Sequence, residues 1–433
     1  MHDSPTKPTR RDMMRGAAAS AALLAAAKMA VPGGAFAQGA GPETKTAKLG
    51  YIALTDAAPL IVAKEKGIFA KYGLPDVEVL KQASWGATRD NLVLGGEANG
   101  IDGAHILTPL PYLMTTGKVT QNGVPAPMVI LARLNLDAQA ISVANEHKDL
   151  KLGTSAAPLK EAFAKKRAAG GDPKVAMTFP GGTHDLWLRY WLASGGIDPD
   201  KDVSTIVVPP PQMVANMKVG TMDAFCVGEP WNAQLINQKL GYTAVNTFEI
   251  WNKHPEKSLG MRAAWVDKNP RAAQALLTAV LEAQIWCDKL ENREEMCKIL
   301  GTRAWFNVPV ADILPRQKGE YDYGLEGKAQ KDSPGIMKFW RDNASFPFKS
   351  HDLWFLTENI RWGKFEAGLD AKALIEKVNR SDLWRDSAKA LGVPTAEIPS
   401  SDSRGKETFF DGKVFDPADP QAYLASLPIK RVA

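Results

Sequence analysis

Two strand-to-helix corners follow each other almost without a break. The first is LGYIALTDAAPLIVAKEKGIFAKYGL (residues 49–74) and the second is DVEVLKQASWGATRDNLVLGG (residues 76–96). Each runs from an apolar strand pattern through a short polar loop into a helical one. Consecutive corners of this kind lay strands in parallel and gather their loops at the C-terminal edge of the sheet, where open α/β sheets bind ligands. The loops carry polar and indole groups, so the chain reads as a device for capturing a small solute.

At 433 residues the chain exceeds one ordinary core, and two lobes are expected. Its formal charge is +5, with both signs interspersed. No basic stripe interleaved with aromatics is present, which argues against nucleic acid as a partner. Residues 1–37 have the order of an export signal. Arg10-Arg11 forms a twin-arginine pattern, an Ala/Leu-rich stretch follows, and Ala35-Phe36-Ala37 supplies a small-x-small cleavage site. The expected address is therefore the periplasm, reached through the twin-arginine export machinery with cleavage near Ala37. No cysteine lies there, so a lipid anchor is not expected. Cys226, Cys287 and Cys297 allow one disulfide at most, and buried thiols are expected.

A third strand ends near residues 102–105, a fourth spans 128–133 and a fifth 140–144. From about residue 149 the pattern restarts: helix, strand 174–178, the loop Phe179-Pro180-Gly181-Gly182-Thr183-His184-Asp185, helix, strand 203–208 running into Pro209-Pro210-Pro211, then another helix. In both segments a helix ends at or near glycine and the strand that follows contains aspartate: Asp102-Gly103-Ala104 and Asp223-Ala224. One α/β design used twice accounts for this. Residues 44–140 with 250–433 are expected in lobe 1 and 141–249 in lobe 2, the chain crossing a hinge twice. Helices are expected over 338–341, 353–360 and 372–379, and irregular structure after residue 400.

Four side chains fall on loops facing such a crevice. Trp85 precedes a helix, where its indole N–H either donates to an anion or packs. Gln139 enters the fifth strand with an amide that donates or accepts. His184 follows Gly181-Gly182-Thr183 at a helix start, where backbone N–H groups and the helix dipole favour an anion and Thr183 is a capping residue. Lys257 precedes a further strand, a position equally ordinary for a surface lysine. HExxH, CxxC, Walker and GxSxG motifs are all absent from the sequence, and no two histidines stand four apart. No metal or cofactor is expected, and no enzyme is indicated.

The stretches GYIALTDAAPLIVAKEKGIFAKYGL, LKQASWGATRDNL, GIDGAHILTPLPYLM, GGTHDLWLRYWL, FCVGEPWNAQL and NKHPEKSLGMRAAWV resemble the nitrate- and bicarbonate-binding proteins of bacterial ABC importers. The resemblance runs from about residue 49 to 270. It implies an α/β, two-lobed periplasmic-binding-protein fold of type II, each lobe a mostly parallel sheet flanked by helices. It also implies contacts to a small planar anion from Trp85, Gln139, His184 and Lys257. Bicarbonate binders carry an acid at the place of Lys257, associated with calcium, and Gln at the place of His184. The lysine and histidine here resemble the nitrate branch. Nitrate donates no hydrogen bond, so a site of donors with one compensating ammonium is expected. Four charge-assisted bonds supply roughly 6–12 kcal/mol gross, and micromolar affinity needs about 8 kcal/mol. Part of the gross sum is consumed by lobe closure, so backbone N–H groups near Gly182, Thr183 and Pro210 are expected to add to it. The implied partners are nitrate (with nitrite), an ABC permease and an ATPase. A nitrate/nitrite sensor of the same fold and a bicarbonate-binding homologue are the alternatives.

Overall fold

The computed structural model describes residues 41–432, so the expected signal segment lies outside the described residues. Two five-stranded sheets organise the chain. The first contains β1 (Thr46–Tyr51), β2 (Asp76–Lys81), β3 (Gly103–Leu107), β4 (Met128–Arg133) and β10 (Lys257–Arg262). The second contains β5 (Gln139–Ala144), β6 (Lys174–Met177), β7 (Ser204–Val207), β8 (Ala224–Gly228) and β9 (Gly241–Asn246). Their orders, β2-β1-β3-β10-β4 and β7-β6-β8-β5-β9, superpose one for one. In each sheet a single strand runs against the others: β10 is antiparallel to β3 and β4, and β5 is antiparallel to β8 and β9. Helices cover the faces, so the inner strands carry runs buried on both sides, as in GAHIL of β3.

The repeated aspartate is a repeated contact. Asp102 accepts from the Lys48 backbone N–H at 2.9 Å, and Asp223 accepts from the Lys174 N–H at 2.8 Å. Each aspartate thus ties the backbone of one parallel strand, β1 or β6, to the lead-in of the strand beside it, β3 or β8.

The chain passes between the sheets twice. The first passage is 134–138, since β5 begins at Gln139 and pairs wholly in the second sheet; it lies ahead of the expected boundary at 140. The second is 251–256. The passages run side by side: Leu136 bridges Pro255, Asp137 N donates to His254 O at 3.0 Å, and Leu134 N donates to Lys257 O at 2.7 Å.

Among the helices, α1 (Ala58–Glu65) follows the first corner and α2 (Trp85–Leu94) the second, the latter capped by Ser84, which accepts from Ala87 N at 3.1 Å. α3 (Thr183–Ser194) follows β6. α4 (Pro270–Asp288) opens on proline and packs on α1, and α5 (Lys349–Arg361) lies in the C-terminal part. Residues 338–340 are not helical and only a 3-10 turn, Arg341–Asn343, follows. Two strands not foreseen, Tyr321–Leu325 and Lys328–Gln330, form a hairpin on β9. After residue 400 the chain carries two short strands and the helix Pro420–Ala425. The three cysteines are free and buried.

Candidate functional site

The antiparallel strands fix where the site forms. Each begins at the edge where its parallel neighbours end. Lys257, the first residue of β10, stands opposite Leu107, the last of β3, and Gln139, the first of β5, stands opposite Gly228, the last of β8. The two-fold likeness of the sheets therefore delivers an ammonium from one and an amide from the other to a shared crevice.

These groups are fully buried and bonded into one network. Gln139 Nε2 donates to Asp56 Oδ2 at 3.1 Å and lies 3.4 Å from Asp137 O. Both are acceptors, which turns Gln139 Oε1 toward donors: His184 Nε2 at 2.9 Å and Lys257 Nζ at 3.4 Å. His184 Nδ1 then accepts from the Thr178 hydroxyl at 2.6 Å. Burial, reinforced by the Lys257 ammonium, holds the His184 ring well below its ordinary range, so it is neutral.

Lys257 Nζ lies 2.7 Å from Glu256 Oε1 and 3.1 Å from Asp56 Oδ2. Burial works against its charge, yet the two carboxylates raise it above the usual lysine value. Burial likewise opposes the Asp56 charge, but Lys257 and His105 overcome this and hold its carboxyl far below the usual range. Glu256 also accepts from Thr183 Oγ1 and, at 2.7 Å, from Trp187 Nε1. It thereby ties α3 of the second sheet to the head of β10.

Gln139, His184 and Lys257 are thus brought into mutual contact, and Thr183 joins them through Glu256 rather than by capping α3. Trp85 is fully buried beside them: its ring lies 5.4 Å from that of His105, which reaches Asp56 at 2.6 Å. Two expectations are corrected. The site is not built of donors alone, because Asp56 and Glu256 place two carboxylates on its one ammonium. Nor is a free backbone donor available near Pro210, which is buried at the head of a short 3-10 turn. Pro209, Pro210 and Pro211 have no N–H, and the flanking Val208 and Gln212 N–H groups bond Met177 O and Pro209 O, each at 2.9 Å. The Gly182 N–H is likewise engaged, with Phe179 O at 3.1 Å. The first-turn N–H groups of α3, from Thr183 onward, are the ones a helix leaves without intrahelical partners.

Sequence reasoning missed Asp56, His105 and Glu256. Each had a signal. Asp56 stands in the first corner, at the place in the first sheet that the His184 corner holds in the second. His105 interrupts an otherwise apolar β3, and Glu256 adjoins Lys257.

A polar crevice closed between two like α/β layers, joined by two adjacent crossings, defines a two-lobed solute-binding protein. The chain belongs to the NMT1-like family, whose profile matches residues 40–301, and within it to the nitrate- and bicarbonate-binding proteins. It is 66% identical over 391 residues to the nitrate/nitrite binding protein NrtA of Synechocystis sp., covering 90% of this chain and 86% of that one. The bicarbonate-binding protein CmpA of Synechococcus elongatus is 47% identical over 397 residues, covering 90% and 88%. The crystal structure of the periplasmic nitrate-binding protein NrtA from Synechocystis PCC 6803 superposes with a TM-score of 0.88 at 65% identity, covering 90% of this chain and all of that one. The fold is accordingly the two-lobed periplasmic-binding-protein fold.

Proposed function

We propose that this protein captures nitrate, and nitrite with it, in the periplasm and delivers it to an ABC importer. The observation that carries the reading is the convergence of Lys257, His184 and Gln139 from two sheets on one buried point, in a chain 66% identical to a nitrate/nitrite binding protein. Lys257 Nζ donates as an ammonium, Gln139 and His184 orient, and Trp85 walls the pocket and offers an indole N–H. Closing the crevice removes water, which strengthens each of these interactions. The closed surface is what a separate permease reads, with an ATPase as third component. Export through the twin-arginine pathway, with cleavage near Ala37, belongs to the same reading.

The bicarbonate alternative needs an acceptor for the ligand's hydroxyl. Asp56 and Glu256 are acids, but they already accept from Lys257, His105, Gln139, Thr183 and Trp187. The higher identity to the nitrate binder supports nitrate as well. Titration calorimetry of residues 38–433 with nitrate, nitrite and bicarbonate tests the reading. Saturable one-to-one binding of nitrate is expected, with no effect of calcium; bicarbonate binding that requires calcium, without nitrate binding, would overturn it.

A further inference from the structure

Two polar atoms beside the Asp56–Lys257 pair are buried and have no hydrogen-bond partner among the described residues: Trp85 Nε1 and His105 Nδ1. They belong to adjacent rings inclined at 44°. Leaving such atoms unpaired in a protein interior is costly, and a ligand seated between these two rings would complete the bonding of both. The charges around them are also unequal. Among the described residues, the fixed positive charge paired with Asp56 and Glu256 is Lys257, while the nearby Asp137 and Asp352 are matched by Lys338 and Arg133. An arriving anion therefore meets one surplus negative charge.

His105 is placed to cancel it. Its Nε2 lies 2.6 Å from Asp56 Oδ1. A proton taken up at Nδ1 makes an imidazolium paired with Asp56, loosens the hold of Asp56 on Lys257, and turns Nδ1 from an unpaired acceptor into a donor beside the Trp85 N–H. The two other histidines of the site, His184 and His254, lack this arrangement. Both ring nitrogens of His184 are engaged, Nε2 lies 3.3 Å from the Lys257 ammonium, and its nearest carboxylate is Glu256 at 3.7 Å. His254 is engaged by Thr247 at 2.7 Å and Pro255 O at 3.1 Å. The charged and titratable groups facing His105 are Asp56 from the corner after β1, Lys257 and Glu256 from β10 and its lead-in, and His184 from α3; α2 contributes the Trp85 indole, which does not titrate.

We propose that His105 is a ligand-binding residue acting as imidazolium together with Trp85, so that each anion enters the site with one proton. Burial, opposed by Asp56, leaves the His105 ring below its usual range in the ligand-free protein, so the proton arrives with the anion. The inference rests on the proposed binding of nitrate.

The test is calorimetry of the full mature chain with sodium nitrate at pH 7, in phosphate and in Tris, whose ionisation enthalpies differ widely. The expected result is an apparent enthalpy difference equal to one proton drawn from buffer per nitrate, with affinity falling about tenfold per pH unit between pH 6.5 and 8.5. His105→Gln should bind more weakly and with no buffer dependence, whereas Trp85→Phe should bind more weakly and keep the proton uptake. A nitrate isotherm identical in both buffers and flat with pH overturns the inference and leaves the functional reading standing. His105→Gln that still takes up a full proton overturns it too. Absence of nitrate heat in every buffer overturns the functional reading, and this inference with it. Where His105→Gln does not fold, the two-buffer comparison on the unaltered chain decides alone.

Discussion

Lys257 stands fully buried between two carboxylates, and the three charges sustain one another. Removing one member of a buried ion network typically costs about 3–5 kcal/mol, because the remaining charges stay desolvated and unmatched. Lys257→Met is expected to destabilise the protein by that amount in urea titrations and to abolish nitrate binding. The pH course follows from the shifts. The lowered Asp56 contributes stability that is full above its unfolded value near 4 and fades as pH falls toward its folded value. The raised Lys257 contributes stability that is full below about pH 10 and is lost as pH rises through its folded value. The stability difference between the Lys257→Met variant and the parent should therefore be widest between those limits and shrink outside them; a difference flat from pH 3 to 11 would refute the network. The basic member was legible in the sequence through its family position. Its partners were not, because spacing says nothing of which distant carboxylate reaches an ammonium across a fold.

The elements show why Gln139 points where it does. It is preceded by Asp137 and Ala138, both with left-handed backbone, at φ of 60° and 63°. For alanine this costs about 1–2 kcal/mol, and such strain concentrates at functional sites. Here it lets the first crossing turn sharply into β5 and present the amide at the sheet edge. Ala138→Gly relieves the strain while adding about 0.5–1 kcal/mol of unfolded-chain entropy. The protein should keep its stability or gain up to about 1 kcal/mol, where glycine within a regular element would cost it. Gly228, paired opposite Gln139, tests the same amide from the other side. A Cβ there would collide with Gln139 Oε1, the far end of a flexible side chain. Gly228→Ala is expected to weaken nitrate binding at least tenfold with a melting temperature within a few degrees of the parent; unchanged affinity would remove Gln139 from the site. At this scale the sequence was informative. Strand-to-helix corners, the internal repetition and most strand positions were readable, since hydrophobic period and glycine ends are local. The Tyr321–Leu325 hairpin was not, because its strands are held by β9, far away in the chain.

The two layers touch in this structure, and the contact has named members away from the site. Thr55 N donates to Glu229 O at 2.8 Å, and Trp231 Nε1 donates to Ala53 O at 2.9 Å, both running from the second sheet's loops to the first corner. Farther along the mouth, Asn359 Nδ2 donates to Gly181 O at 3.1 Å, joining α5 to the approach to α3. A ligand that binds only between the layers shifts the molecule toward this state by its differential affinity, and every such contact adds to the same equilibrium. Trp231→Phe deletes one donor and leaves Ala53 O unpaired in the closed form alone. One hydrogen bond contributes about 1 kcal/mol, so the dissociation constant for nitrate should rise about fivefold. Trp231 lies outside the Gln139–His184–Lys257 network, so the bound state itself should be unaltered. At saturating nitrate, solution scattering should give the same radius of gyration for variant and parent, while at intermediate nitrate the variant should be the more expanded. Equal affinities would mean that these contacts form in the open molecule too, and that closure is set by the buried charges alone.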